Sequence, residues 1–196
     1  MMIILGITGS MASGKSSLTH RARTLLHIPV WDADRDVQSL YQKKTIQQKI
    51  LALFPSCASH GQLDRDLLKG TIAQSPDNLL KIEAILYPEL AQSREKFLSF
   101  HQKRRSPCVI LDIPLLFEKD LDSLCDWTIV TTSPDWLIHQ RILKRPTMTA
   151  TLMHSLLSKQ LPQIEKQQRA DFIIDSGAGH HHTWIQFMQI LEHLGL

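Results

Sequence analysis

The sequence is poor in several residues that mark whole protein classes. Of its 196 residues only three are cysteines, Cys57, Cys108 and Cys125. Their odd number and the lack of any Cys-x-x-Cys pair argue against a disulfide framework or a thiolate metal site, and for a reducing cytoplasm. Aromatic residues reach 6%, and the four tryptophans are scattered, so no stacking platform for nucleic acid is laid out. The formal charge of +3 is too small to argue for nucleic acid but suits a small anionic substrate. No run approaches the ~20 apolar residues of a membrane-spanning helix. The apolar start, Met1 to Ile7, has no Lys or Arg ahead of it and meets a glycine-rich loop, so it reads as a buried strand rather than a signal peptide. With 43% hydrophobic and 21% charged residues the chain is ordinary for a globular protein, which excludes a disordered or fibrous one. Its length suits one domain carrying helical inserts.

The residues alternate between strand and helix patterns. Met2–Thr8 is a continuous apolar run, the mark of a parallel strand covered on both faces. Leu18, Ala22, Leu25 and Leu26 set one face of a helix from Lys15 to about His27, and a second strand spans Ile28–Trp31. From about 35 to 105 the pattern is helical with no strand-like interruption, which reads as an insert. Further strands are expected at 108–113, 127–132 and 172–175, and helices at about 135–144, 149–160 and 182–194. This order predicts an α/β fold: three layers around a five-stranded parallel sheet.

Gly9-Ser10-Met11-Ala12-Ser13-Gly14-Lys15-Ser16 fits G-x-x-x-x-G-K-[ST], after a strand and before a helix. Glycines permit the turns that aim backbone N–H groups at phosphate oxygens, and the helix dipole adds positive potential. Lys15 would reach the β- and γ-phosphates, and the Ser16 hydroxyl would ligate Mg²⁺. The loop therefore predicts a P-loop nucleotide-binding fold with ATP and Mg²⁺. A guanine-specific switch is disfavoured, because the only asparagine, Asn78, precedes Leu79 and the Asn-Lys-x-Asp motif is absent.

Acids stand at two strand ends, where open α/β sheets bind ligands. Asp32 or Asp34 could orient and deprotonate an attacking hydroxyl, could hold Mg²⁺ through water, or could merely cap the next helix. Asp112 occupies the usual place of an acid near Mg²⁺, with helix capping as its alternative role. Arg141 and Arg145, four apart, share a helix face and could clamp a transferring phosphoryl group. His180-His181-His182 lacks accompanying ligands and reads as a helix start rather than a metal site. Lys103-Arg104-Arg105 reads as a solvated helix end. These features alone fit any small P-loop kinase, whatever its acceptor.

A longer series of segments resembles the dephospho-coenzyme A kinase family in order and over nearly the whole chain. They are GITGSMASGKSS (6–17), VWDAD (30–34), GQLDRDLL (61–68), LYPEL (86–90), PLLFE (114–118), QRILKR (140–145) and the stretch from Gln160 through Lys166 to ADFIID (170–175). The resemblance implies ATP-dependent phosphorylation of the ribose 3′-hydroxyl of dephospho-CoA, a small-molecule partner, with no nucleic acid and no membrane involved. It places ATP on Gly9, Ala12, Ser13, Gly14, Lys15, Ser16 and Ser17, with Ser16 on Mg²⁺ and Thr8 beside them. It makes Asp34, with Asp32 second, the residue that engages the acceptor hydroxyl. Arg65, Tyr87, Leu115 and Leu116 would hold dephospho-CoA, and the insert at about 34–105 would receive it. Arg141 and Arg145 would belong to a lid over ATP at about 141–165. The chain departs from the family's usual residues at Ser10 and Ala12 in the loop, at Tyr87, where histidine is usual, and at Pro146. It also lacks an arginine just before Gln160, for which Lys159 or Lys166 could substitute.

Overall fold

The computed structural model describes residues 2–144 and 160–196, which form two compact units, Met1–Asp32 with Phe100–Leu196, and Ala33–Ser99. The first holds the sheet of β1 (Ile3–Gly9), β2 (Val30–Asp32), β5 (Cys108–Asp112), β6 (Trp127–Thr132) and β7 (Phe172–Asp175). Its order is β2-β5-β1-β6-β7 and every pairing is parallel. The predicted α/β class and five-stranded parallel sheet are thus what the chain forms.

Both sheet faces are covered, which is why the strands read as unbroken apolar runs. On one face Leu5, Ile7, Cys108, Ile110, Ile129 and Ile174 pack with Leu18 and Ala22 of α1 (Lys15–Leu25) and with Phe187, Ile190 and Leu191 of the C-terminal helix His180–His193. Each such aliphatic or aromatic side chain contributes about 1.5–3 kcal/mol relative to exposure. On the other face Gly6 lies against Cys125 and Leu116, and a Cβ there would come within 2.6 Å of the Cys125 sulfur. All three thiols are free, and burial raises that of Cys108 above its usual range.

The second unit is helical, with α2 (Ala33–Leu40), α3 (Lys44–Leu53), α4 (Arg65–Gln74) and most of α5 (Pro76–Lys103). Its own core comprises Leu40, Ile46, Ile50, Phe54, Cys57, Leu68, Ile82 and Leu86. One expectation fails here, because strands do interrupt the helices. β3 (Ala58–Ser59) and β4 (Gln62–Leu63) form an antiparallel hairpin. His60 and Gly61 both take positive φ, 50° and 76°, as a two-residue hairpin turn requires. Strands of two residues are too short for a periodicity to register.

The sequence pattern also missed a helix. α6 (Asp135–Leu143) is followed, beyond the residues not described, by α7 (Gln163–Arg169), which starts after Pro162 and consists of good helix formers. The C-terminal helix, α8, begins at His180, two residues earlier than expected. The helix expected at 149–160 lies outside the described residues apart from its last position. No described helix is long and apolar enough to cross a membrane.

Candidate active site

The loop between β1 and α1 carries Gly9 to Gly14. Gly9 has no room for a side chain, since a Cβ would lie 2.3 Å from Thr131 Oγ1 and 2.5 Å from the Thr131 carbonyl oxygen. Gly9→Ala should therefore cost about 2–3 kcal/mol and lower Tm by roughly 4–12 °C. Thermal denaturation of the variant checks this, and an unchanged Tm would contradict the close packing of the loop on β6. Gly14 precedes α1 with φ 93°, in the left-handed region. Ala12 also has positive φ, 63°, a conformation that opposes a Cβ, and its methyl packs with Met11 against Ile138 and Ile142 of α6.

Lys15 is the first residue of α1, and its ammonium pairs with a carboxylate oxygen of Asp112 at the end of β5. The other Asp112 oxygen accepts from Thr19 Oγ1 at 2.8 Å. Asp112 is 2% exposed, so the lysine and the threonine together compensate a buried charge. Each carboxylate oxygen has lone-pair capacity beyond one bond, so Asp112 can still accept from a metal-bound water. Ser16 is exposed in the first turn of α1. A phosphate-bound Mg²⁺ is thus compatible with the Ser16 hydroxyl and the Asp112 carboxylate. Among the described residues no cluster of three His, Cys, Asp or Glu could hold an ion by itself.

The neighbouring strands bring further residues to the same edge. Asp32 stands in register with Asp112 across β2 and β5. Thr8 is buried and donates to the Pro114 carbonyl at 3.1 Å. Leu115 is partly exposed, whereas Leu116 is fully buried and packs beneath Gly6. Ser17 Oγ lies 3.0 Å from His180 Nδ1. That histidine opens α8, and its carbonyl accepts from Arg21 at 3.0 Å.

Arg141 lies on α6 and turns into the loop. Its guanidinium donates to the Ala12 carbonyl at 3.2 Å, to Ser133 Oγ at 3.0 Å and to Ser176 Oγ at 3.2 Å. Arg145 lies outside the described residues. The Met11 N–H donates to Gln160 Oε1 at 3.2 Å. Of the two lysines considered as substitutes for an arginine, Lys159 is not among the described residues. Lys166 is fully buried, paired with Glu118 at 2.8 Å and bonded to the Pro114 carbonyl at 3.3 Å. Lys166 thus ties the 114–118 segment to α7.

In the helical unit Asp34 is the second residue of α2 and is exposed. Asp64 caps α4 by accepting from the N–H groups of Asp66 and Leu67 at 2.9 and 3.1 Å, which fixes Arg65 at the helix start. Arg65 donates to Gln38 Oε1 at 2.6 Å, and its guanidinium lies 4.8 Å from the Tyr41 ring centroid. Burial raises the Tyr41 hydroxyl above its usual range, and the Arg65 charge opposes the rise. Tyr87, on α5 just before Pro88, is 40% exposed.

Sequence reasoning missed Thr19, Thr131, Ser133 and Ser176. The strand-end rule that singles out Asp32 and Asp112 points equally to Ser133 after β6 and Ser176 after β7.

The family model for dephospho-CoA kinase matches residues 3–181. A curated dephospho-CoA kinase from Jannaschia sp. is 43% identical over 178 residues, covering 90% of this chain and 89% of that one. A crystal structure from Thermus thermophilus superposes with a TM-score of 0.85 at 27% identity, covering 98% of this chain and 97% of the other. A dephospho-CoA kinase structure from Campylobacter jejuni gives 0.69 at 21% identity, with 99% and 98% covered, and attests the fold. With the loop, its lysine and its acid arranged as described, and the family match running from β1 to the start of α8, the chain belongs to the dephospho-CoA kinase family.

Proposed function

We propose that this protein transfers the γ-phosphoryl group of ATP to the ribose 3′-hydroxyl of dephospho-CoA, giving coenzyme A and ADP in the last step of coenzyme A synthesis. The observation that carries the proposal is the Lys15–Asp112–Thr19 cluster under a glycine-bounded loop, in a chain of this family. The reaction breaks the bond from the γ-phosphorus to the β–γ bridging oxygen and forms one to the 3′-oxygen, whose proton leaves. Such transfer depends on positioning and charge stabilisation more than on covalent chemistry.

Lys15 counters negative charge on the β- and γ-phosphates, and the loop N–H groups orient them. Mg²⁺, when bound, neutralises phosphate charge, and Ser16 and Asp112 are the residues that would hold it, Asp112 through water. Asp34 orients the 3′-hydroxyl and takes its proton, with Asp32 as the second choice. Arg65, braced by Gln38 and Tyr41, attracts an anionic part of the acceptor, and Tyr87 and Leu115 add contact surface. Leu116 acts from beneath, by packing the 114–118 segment on β1. Arg141 and Arg145 act on the nucleotide side, with 141–165 as the lid. The helical insert of about 34–105 receives the acceptor within a single catalytic domain. The substrates and the free thiols fit a cytoplasmic enzyme.

The test is ADP release with Mg-ATP, with and without dephospho-CoA, against adenosine, AMP, CMP and shikimate as alternative acceptors. Strong stimulation by dephospho-CoA alone, with coenzyme A identified by mass spectrometry, is expected. Stimulation by a different acceptor would replace the substrate assignment.

A further inference from the structure

Behind the phosphate loop runs a buried chain of hydroxyl groups anchored on Arg141. The sheet itself fixes its central member, because the Ser176 N–H extends the ladder to the Thr132 carbonyl at 2.8 Å. Thr132 and Asp175 are register partners, so the next residue on each strand, Ser133 and Ser176, meet beyond the strand ends. Their hydroxyl oxygens lie 2.7 Å apart. Ser176 Oγ is 2.6 Å from the Ser13 carbonyl oxygen. Arg141 reaches both serine hydroxyls and also donates to the Ser176 carbonyl at 3.1 Å. Ser13, Ser133 and Ser176 are all buried.

Counting donors fixes the direction of each link. A carbonyl oxygen only accepts, so Ser176 spends its single proton on Ser13. Its oxygen then accepts from Ser133, and Ser133 in turn accepts from Arg141, which only donates. The chain therefore reads Arg141 to Ser133 to Ser176 to the Ser13 carbonyl. A second chain holds the same residue, with Ser13 Oγ 2.7 Å from Thr131 Oγ1, which donates to the Thr8 carbonyl at 3.3 Å.

The consequence follows from peptide geometry. In a trans, planar peptide unit the C=O and the next N–H point in opposite directions. Holding the Ser13 carbonyl on Ser176 aims the Gly14 N–H away from Ser176. The same hydroxyl stands close behind Gly14, where a Cβ would lie 2.8 Å from it.

We propose that Ser176 is a positioning residue for the nucleotide phosphates, acting through the Ser13–Gly14 peptide to hold the Gly14 N–H toward them. This rests on the nucleotide-binding part of the proposed function and extends it to a residue outside the loop. Removing the Ser176 hydroxyl frees that peptide to turn and leaves the Ser13 carbonyl without its donor.

The experiment compares Ser176→Ala with the unaltered protein. ADP affinity, by isothermal titration, should fall about tenfold, the usual scale for one well-placed buried hydrogen bond. Adenosine, which carries no phosphate, should bind the two alike by ligand-observed NMR. In turnover, KM for Mg-ATP should rise while KM for dephospho-CoA stays unchanged. Unchanged ADP affinity, or an equal loss for ADP and adenosine, would overturn the proposal, since a general structural defect weakens both. Should Ser176→Ala not fold, Ser133→Ala breaks the chain one link earlier and should weaken ADP about threefold. No loss there would count equally against the idea. The ADP titration involves no acceptor. Failure of the kinase reading would therefore appear separately, as absent turnover with dephospho-CoA in the unaltered protein.

Discussion

Lys15→Met is expected to abolish phosphoryl transfer, by a factor of at least about 10²–10³ in turnover. The side chain is the one cation of the loop motif, and methionine keeps much of its bulk without the charge. The variant should also lose stability, because it leaves the Asp112 carboxylate buried with Thr19 as its one remaining observed partner. Removing one member of a buried pair costs about 3 kcal/mol or more, so Tm should fall by roughly 6–12 °C. The double variant Lys15→Met/Asp112→Asn separates the two effects. It should recover most of the lost Tm, since no unpaired charge remains, while turnover stays at the level of the single variant or below. Assays at a temperature well under both transitions make the comparison. Near-normal turnover of Lys15→Met would remove the loop from the mechanism altogether.

Asp34→Asn should lower kcat by about 10²–10⁴ if the carboxylate takes the acceptor proton, because the amide keeps the shape but cannot accept that proton. KM for ATP should move little. The residue is exposed in the first turn of α2, where a carboxylate interacts favourably with the helix dipole by about 0.3–1 kcal/mol, so the thermal effect should be small beside the kinetic one. A large kinetic effect with a small thermal one would therefore belong to chemistry rather than folding. If kcat is unchanged, the role passes to Asp32, for which Asp32→Asn under the same assay is the second arm.

The sheet was legible because each of its strands is an apolar run closed by a turn or an acid. Trp127–Thr132 and Phe172–Asp175 fall where the pattern puts them to the residue. The loop was legible because its chemistry demands glycine and lysine at fixed spacing. The hairpin at 58–63 was not, since its signal is a His-Gly pair whose positive φ no periodicity announces. α7 escaped because it spans only seven residues and buries chiefly Lys166, a residue that no apolar pattern counts. The hydroxyl chain escaped for a different reason. Ser133 and Ser176 are unremarkable in sequence and become partners only when β6 and β7 align side by side. Arg141 was visible as a basic residue of a helix face, but its attachment to the Ala12 carbonyl depends on where α6 lies.

The pairing of β1 also bears on how the chain is made. This strand is made before both of its partner strands, since Ile3 pairs with Cys108 and Leu5 with Trp127. At roughly 5–20 residues per second, about 100 further residues take on the order of 5–20 s to appear. During that interval the nascent strand offers Ile3, Ile4, Leu5 and Ile7 with neither edge occupied. The residues made meanwhile, Ala33–Ser99, form a unit continuous in the chain and can complete their own core without the sheet. Non-local parallel pairing is slow and exposes apolar edges to other chains. Rapid synthesis at high temperature should therefore favour inclusion bodies, and a chaperone that shelters the β1 segment should raise the soluble yield.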